Sequence, residues 1–440
     1  MTKISGNLNI LLVAPSNDAS NVLAERLTEF FPPSQLQRIL AYSRRVEDLP
    51  PKLRSYATDD LSTEEQVKKI LSARIVVSTV NLAARFSYWG ISRGHFDVLV
   101  VDEAGYATEP EVVSVAAGLM DFYPRDETTC GQMVLAGYPK QLGPVIMSSL
   151  CVKLGFGISY MERLTMLPVY SKTNEGAYPS SLLTMLVRNY RSHPALLKLP
   201  NKMFYNGELQ ACGDQMWTHS LAKWEHLPQK GFPVLFHAVE GENMQESNSP
   251  SWFNPQEAEQ VMCYVHLLIS NTKPPLKPEE IGIITPYARQ AQKIRKLLAR
   301  AEILNLKVGS VEMFQGQERR IIIVSTVRAD PSKVSHDLRH NLGFVASPKR
   351  FNVTVTRAKC LLIVVGCARL LALDTEHWLP MLEYCHSNGS WCGEEWERDQ
   401  SETEVVSDSD DDEVSVASVT EILPSQAVEQ LAVSTEYHEV

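Results

Sequence analysis

The chain is 440 residues long and 44% hydrophobic, enough to bury more than one core and to form two or three domains. Its formal net charge of −10 speaks against a uniformly basic nucleic-acid binder, but the charge is uneven. Residues 401–440 hold 11 acids and no Lys or Arg, which leaves 41 acids against 42 bases in the first 400 residues. Eight cysteines without a C-x-x-C pair exclude a disulfide framework and read as reduced thiols of a cytosolic protein. Cys385, His386 and Cys392 lie near one another but are too few for a four-ligand zinc site. No stretch approaches the ~20 apolar residues of a membrane span, and ILLVA near the start is too short for a signal-peptide core. The expectation is a soluble intracellular protein, with the Asn352 and Asn388 sequons as chance matches.

In chain order, short β-branched runs recur as NILLVAP, ARIVVST, FDVLVVDEA and QMVLAG, then as EIGIITP, RRIIIVSTV and CLLIVVG. Helix-like segments such as NVLAERLTEF and ARQAQKIRKLLARA separate them, and that alternation predicts parallel sheets of the α/β class. The runs form two groups, so we expect two doubly wound domains over 1–165 and 186–375 with a cleft between them. A linker is expected over 166–185, around SKTNEGAYPSS, and a C-terminal extension over 376–440. From about 395 the Ser- and acid-rich composition cannot offset ordering entropy, and a disordered tail is expected.

The stretch VLVVDEAGYATEPE, residues 98–111, runs a buried-strand pattern into Asp102 and Glu103. Ligands of parallel sheets bind beyond the carboxyl ends of strands, so paired acids there suit Mg²⁺ on a nucleoside triphosphate. Alternatively, they open a helix, whose dipole favours acids in the first turn. The phosphate cradle that usually accompanies such acids, G-x-x-x-x-G-K-[ST], occurs nowhere in the 440 residues.

The order of blocks is more specific than any one of them. VAPSNDASNVL, DEAG, LAGYPKQLGPV, LVRNYRSHP, GIITPYARQAQ, VGSVEMFQGQERRIIIVST and FNVTVTRAK follow one another as in superfamily 1 RNA helicases of the up-frameshift-like group, which the chain resembles over roughly residues 8–370. DEAG, KQLGPVI, NYRSHPALL with FYNGELQAC after it, SWFNPQEAEQV and NLGFVASPKRFNVTVTRAK look like the Armitage and Moloney leukaemia virus 10-like subgroup.

The resemblance implies two RecA-like domains that use ATP and Mg²⁺. Carried over residue by residue, Asp102 holds Mg²⁺ through water, Glu103 activates the hydrolytic water, and Gln141 senses the γ-phosphate. Arg191 and Arg357 act as arginine fingers, Tyr190 stacks on adenine, Glu318 bonds the ribose, and Gly316 allows close backbone approach. For a lone Arg or Tyr, a salt bridge or a core aromatic is the ordinary alternative.

RNA contacts fall to Pro15, Ser16, Asn17, Ser78 and Thr79 in the first domain and to Thr285, Pro286 and Tyr287 in the second, with ordinary turn chemistry as the alternative. Tyr138 departs from the family's Asp at that place, which removes a carboxylate that would steady the metal site. The family's phosphate loop precedes the APSN block by one helix and one strand, so here it is expected upstream of Met1, leaving the first domain incomplete. Single-stranded RNA, Argonaute-type silencing proteins, cytoplasmic ribonucleoprotein granules (P-bodies) and the absence of a membrane complete the expectation. A non-catalytic RNA-binding scaffold is its competitor.

Overall fold

A computed structural model describes residues 8–58, 62–123, 130–173, 176–246, 251–270, 272, 275–329 and 347–396. The expected disordered tail lies outside these beyond 396. The chain divides into two units, residues 1–146 with 150–185, and residues 147–149 with 186–440.

The first unit holds five parallel strands: β1 (Ile10–Ala14), β2 (Leu36–Arg38), β3 (Ile75–Thr79), β4 (Val98–Val101) and β5 (Gln132–Leu135), in the order β2-β3-β1-β4-β5. Period-two alternation sends Leu11, Val13, Val76, Leu99 and Val101 into one core, with Phe86, Phe96, Val112 and Leu119. Ile10, Ile75, Val77 and Val98 enter the other, with Leu36 and Leu53. Each fully buried aliphatic side chain contributes roughly 1.5–3 kcal/mol, which is why both faces must be covered. Helix Asn17–Leu27 starts where the Ser16 hydroxyl accepts from the Ala19 amide, and helix Glu109–Leu119 starts at a reciprocal Thr108/Glu111 cap. The chain leaves β1 toward β2 and β3 and then crosses to β4 and β5 on the other side. This reversal opens the crevice beside β1 and β4 where doubly wound sheets bind ligands.

In the second unit β6 (Arg188–Asn189) pairs with β7 (Gln210–Ala211), and β9 (Met244–Gln245) pairs with β10 (Trp252–Phe253). The main sheet is fully parallel and comprises β8 (Val234–Ala238), β11 (Ile281–Ile284), β12 (Lys307–Gly309), β13 (Arg319–Ser325), β14 (Ala358–Gly366) and β15 (Trp391–Gly393), in the order β12-β11-β13-β14-β8-β15. Helices Pro255–Ser270 and Ala288–Arg300 cover one face, packing Val261, Val265, Leu268, Ile294 and Leu298 on Ile283, Ile321, Ile323 and Ile363.

The two doubly wound parallel sheets are the expected fold class. Two boundaries differ from the expectation. Residues 166–185, expected as a linker, group with the first unit. Residues 376–393, expected as an extension, supply helix Trp378–Ser387 and edge strand β15, because Trp378, Met381, Leu382 and Cys385 are buried against the sheet.

Candidate nucleotide and RNA sites

In the first unit Asp102 and Glu103 follow β4 directly. The Asp102 amide continues the ladder to the Val13 carbonyl at 2.8 Å, and Glu103 takes a left-handed φ of 51° that turns the chain out of the sheet. Two loops then meet backbone to backbone. The Ala104 amide donates to the Ala136 carbonyl at 2.8 Å. A Cβ on Gly105 would stand 3.0 Å from the Tyr138 carbonyl oxygen, and one on Gly137 would stand 2.9 Å from the Ala104 nitrogen. Only glycines allow this approach. It sets the loop of Tyr138 and Gln141, closed by the Gln141 amide on the Tyr138 carbonyl at 3.1 Å, beside the two acids.

Burial pushes the half-buried Asp102 carboxyl above its ordinary range, while the Glu103 amide and Arg26 pull it back. No cluster of three His, Cys, Asp or Glu among the described residues makes a protein-only metal cage. One or two oxygen ligands completed by phosphate oxygens and water is the arrangement Mg²⁺ favours, so the residues present fit that ion.

The expected RNA residues of this unit lie at the same carboxyl edge, Pro15, Ser16 and Asn17 after β1 and Ser78 and Thr79 at the end of β3. Ser16 and Thr79 spend their hydroxyls as helix caps, on Ala19 at 3.2 Å and on Leu82 at 3.4 Å. Ser78 is buried, so its side chain faces the core. Pro15 and Asn17 are half-buried. Asn17 is held by a residue the sequence did not single out. The buried Arg38 guanidinium donates to Asn17 Oδ1 and Asn21 Oδ1, each at 3.0 Å, and to the Ile39 carbonyl at 2.6 Å. Because both amide oxygens accept, their NH₂ groups face away from Arg38. Desolvation, helped by the charge of Arg44, lowers Arg38 to about 10.

In the second unit a cation cluster gathers at the amino ends of β13 and β14. Asn189 Oδ1 accepts from the Arg191 and Ser192 amides, both at 2.9 Å. Ser192 Oγ and the His193 amide then bind the Ala358 and Lys359 carbonyls at 2.9 Å. This pins the NYRSH segment along the start of β14. Arg191 Nε stands 2.6 Å and Lys359 Nζ 2.9 Å from the two Glu318 oxygens. Arg357 ends helix Pro348–Thr356 beside them and is buried. Burial alone would raise Glu318, but the Lys359 hydrogen bond and the charges of Arg191, Lys359 and Arg357 hold it below the carboxylate range. Glu318, expected on a ribose, is thus the partner of two cations. These pairs are partly exposed and are worth at most about 1 kcal/mol each, so a polyanion can displace the carboxylate. Tyr190 is 67% exposed, its ring open to stacking. Gly316 takes φ 67°, a left-handed turn that suits glycine. Lys359 went unassigned in the sequence although it stands in the TRAK block, two residues after Arg357.

Thr285, Pro286 and Tyr287 lie at the opposite edge, after β11. Thr285 and Tyr287 are buried and only Pro286 is half-exposed, so the side chains of the first two face inward.

Carboxylates at a strand exit in one parallel α/β unit, and an arginine-lysine cluster in a second, are the arrangement expected of the helicase class. Two family profiles, both described as AAA domains, match residues 42–149 and 159–369. The chain is 42% identical over 409 residues to putative helicase mov-10-B.1 of Danio rerio, covering 89% of this chain and 39% of that one. It is 43% identical over 391 residues to RNA helicase Mov10l1 of Homo sapiens, covering 87% and 31%. With probable RNA helicase armi of Drosophila melanogaster the identity is 34% over 419 residues, covering 87% and 34%. The chain belongs to the up-frameshift-like superfamily 1 helicases, in the group of MOV-10, Mov10l1 and Armitage. It spans well under half the length of each of these relatives. No helix among the described residues is long and apolar enough to cross a membrane.

Proposed function

We propose that this chain carries the motor of an ATP-dependent RNA helicase, which moves along single-stranded RNA as its two RecA-like units open and close. The observation that carries the reading is the convergence of Arg191, Lys359 and Arg357 on Glu318, an anion site already filled by an anion. A triphosphate would displace Glu318 and recruit the arginines, whose fixed charge and planar fork suit phosphate oxygens. Asp102 would hold Mg²⁺ through water, and Glu103 would orient and deprotonate the attacking water. The ion supplies charge neutralisation at the phosphates. Glu103 and Gln141 would link hydrolysis to the RNA edge through the loops that meet at Gly105 and Gly137. Ser16, Asn17 and Thr79 would border the RNA path in one unit and Pro286 in the other. A role with Argonaute-type proteins in RNA silencing, in cytoplasmic granules, rests on the resemblance to Armitage-like helicases.

A second reading, a non-catalytic RNA-binding scaffold, is favoured by one observation: Tyr138 stands where the family carries an Asp beside the metal site. RNA-stimulated phosphate release from ATP, measured for this chain beside its Glu103→Gln variant, separates the two. Release that the variant abolishes supports the motor. Tight RNA binding with no release from either protein supports the scaffold.

A further inference from the structure

Helix Pro255–Ser270 begins with a buried polar knot that nothing in the nucleotide or RNA reading uses. Asn254 caps it, its Oδ1 accepting from the Glu257 amide at 3.1 Å. Glu257 is 0% exposed and makes no ion pair among the described residues. Its two carboxylate oxygens both accept from the Val327 amide, at 2.9 Å each, and one accepts from Ser325 Oγ at 2.6 Å. Asn254 Nδ2 takes the other side of the same residue, donating to the Val327 carbonyl at 3.2 Å. Gln290 locks the assembly, accepting from the Asn254 amide at 2.9 Å while its Nε2 donates to the Asn254 carbonyl at 3.1 Å and to Ser325 Oγ at 2.9 Å. A carboxylate buried without a cation is costly to retain unless its hydrogen bonds hold something in place.

What they hold is strained. Val327 has φ 74°, and the Arg328 amide donates to the Thr326 carbonyl at 2.9 Å across it. The two facts define a γ-turn of the rare positive-φ kind, at a β-branched residue that avoids that region. The turn follows β13 at the carboxyl edge of the sheet, the edge of Thr285, Pro286 and Tyr287, while Glu318 immediately precedes the same strand. Beyond the turn, the buried Arg328 guanidinium lies 4.6 Å from the centre of the Trp252 ring on β10, and the Ala329 amide donates to Asn243 Oδ1 at 3.2 Å. The γ-turn thereby ties β13 to the β9–β10 hairpin.

We propose that Glu257 is a positioning residue of the RNA edge: it clamps the Thr326–Val327–Arg328 turn in its strained form and so fixes the hairpin that carries Trp252. The proposal rests on the RNA reading above for its functional part. Backbone strain of this kind persists only where surrounding bonds impose it. Glycine would adopt the turn unaided.

The test uses that difference. Single-stranded RNA binding by fluorescence anisotropy, and hydrogen exchange over 319–329 by mass spectrometry, are measured for wild type, Glu257→Gln, Val327→Gly and the double variant. A glutamine keeps a single acceptor oxygen where Glu257 offers two to the Val327 amide and the Ser325 hydroxyl, so the clamp weakens. RNA affinity is expected to fall about tenfold and exchange at 326–329 to rise, with Val327→Gly alone near wild type and the double variant back within about twofold of it. A double variant no better than Glu257→Gln, or a Glu257→Gln variant that binds as wild type does, overturns the proposal. If Glu257→Gln does not fold, Glu257→Asp, which withdraws the carboxylate by one methylene, is taken through the same pair. A wild-type chain that fails to bind RNA sinks the RNA reading, whereas the exchange comparison still decides on the clamp. Exchange that glycine does not restore refutes it.

Discussion

The two parallel sheets place their functional groups differently. In the first unit, the acids and the residues proposed to meet RNA share one edge: Asp102 and Glu103 follow β4, Ser16 and Asn17 follow β1, and Thr79 ends β3. In the second unit the two sets stand at opposite ends of the same strands. The cations meet Glu318 before β13 and β14, and Thr285–Tyr287 and the Val327 turn come after β11 and β13. The rule that parallel sheets bind beyond their carboxyl ends accounts for the first arrangement and for only half of the second. A strand of seven residues spans roughly 23 Å, so β13 is itself the rigid connection between the cation cluster and the edge proposed to meet RNA.

If the amino-edge cluster of the second unit is the charge-stabilising half of a motor, Arg191→Ala and Arg357→Ala should lower RNA-stimulated ATP hydrolysis by roughly 10³–10⁵-fold and leave RNA affinity unchanged. Lysine at 191 should not restore the rate, because it lacks the planar fork. Steady-state phosphate release and anisotropy on the same proteins check this, and a matching loss of RNA affinity would break the separation of the two edges. In the first unit, Glu103→Gln should reduce turnover by roughly 10²–10⁴-fold, the usual contribution of a general base, without weakening nucleotide binding.

A smaller effect sharpens the contrast through stability. Gly137→Ala drives a Cβ onto the Ala104 nitrogen at 2.9 Å, and should destabilise the first unit by about 1–3 kcal/mol while sparing the second. Denaturant unfolding, with hydrogen exchange reporting each unit separately, measures it. A shift confined to the second unit would contradict the packing of the two loops.

The smallest expected effects are pH-dependent and belong to the second unit. Burial, with His219 beside it, lowers His193 to about 4, in keeping with a neutral Nδ1 that accepts from the Ala195 amide at 3.1 Å. Its stabilising contribution is full above the unfolded value of ~6.5 and is lost as pH falls toward 4. Burial raises Glu257 to about 7, against hydrogen bonds from Ser325, Val327 and Thr326. That contribution is full below ~4.3 and is lost as pH rises through 7. Between pH 7.5 and 5 the two therefore oppose each other. Relative to wild type, the unfolding midpoint of His193→Asn should rise on acidification and that of Glu257→Gln should fall. Thermal melts at the two pH values test the signs, and parallel shifts of all three proteins would refute them.

Much of the fold was legible because its central strands are aliphatic runs bounded by turn residues, a signal that survives without tertiary context. The strands that escaped the sequence reading carry little of it. β2 is LQR, β15 is WCG, and β8 sits among prolines and polar residues. They become strands because a neighbour offers an edge. The acids of the first site were legible for a similar reason, since they follow a strand pattern without a break.

The sequence by itself determined the alternation of strand and helix, the acidic strand exit, the order of blocks that marks a helicase family, and the separation of a neutral body from an acidic tail. Only the tertiary structure decided which side of each loop faces inward. It buries Ser78, Thr285 and Tyr287, turns Ser16 and Thr79 into caps, and sets Arg38 behind Asn17. It also decided that Arg191, Glu318 and Lys359, far apart in the chain, share one cluster, and that Glu257 holds Val327 in a strained turn. The physical reason is one of range: periodicity and turn chemistry act over a few residues, whereas burial and charge pairing depend on what the rest of the chain brings alongside.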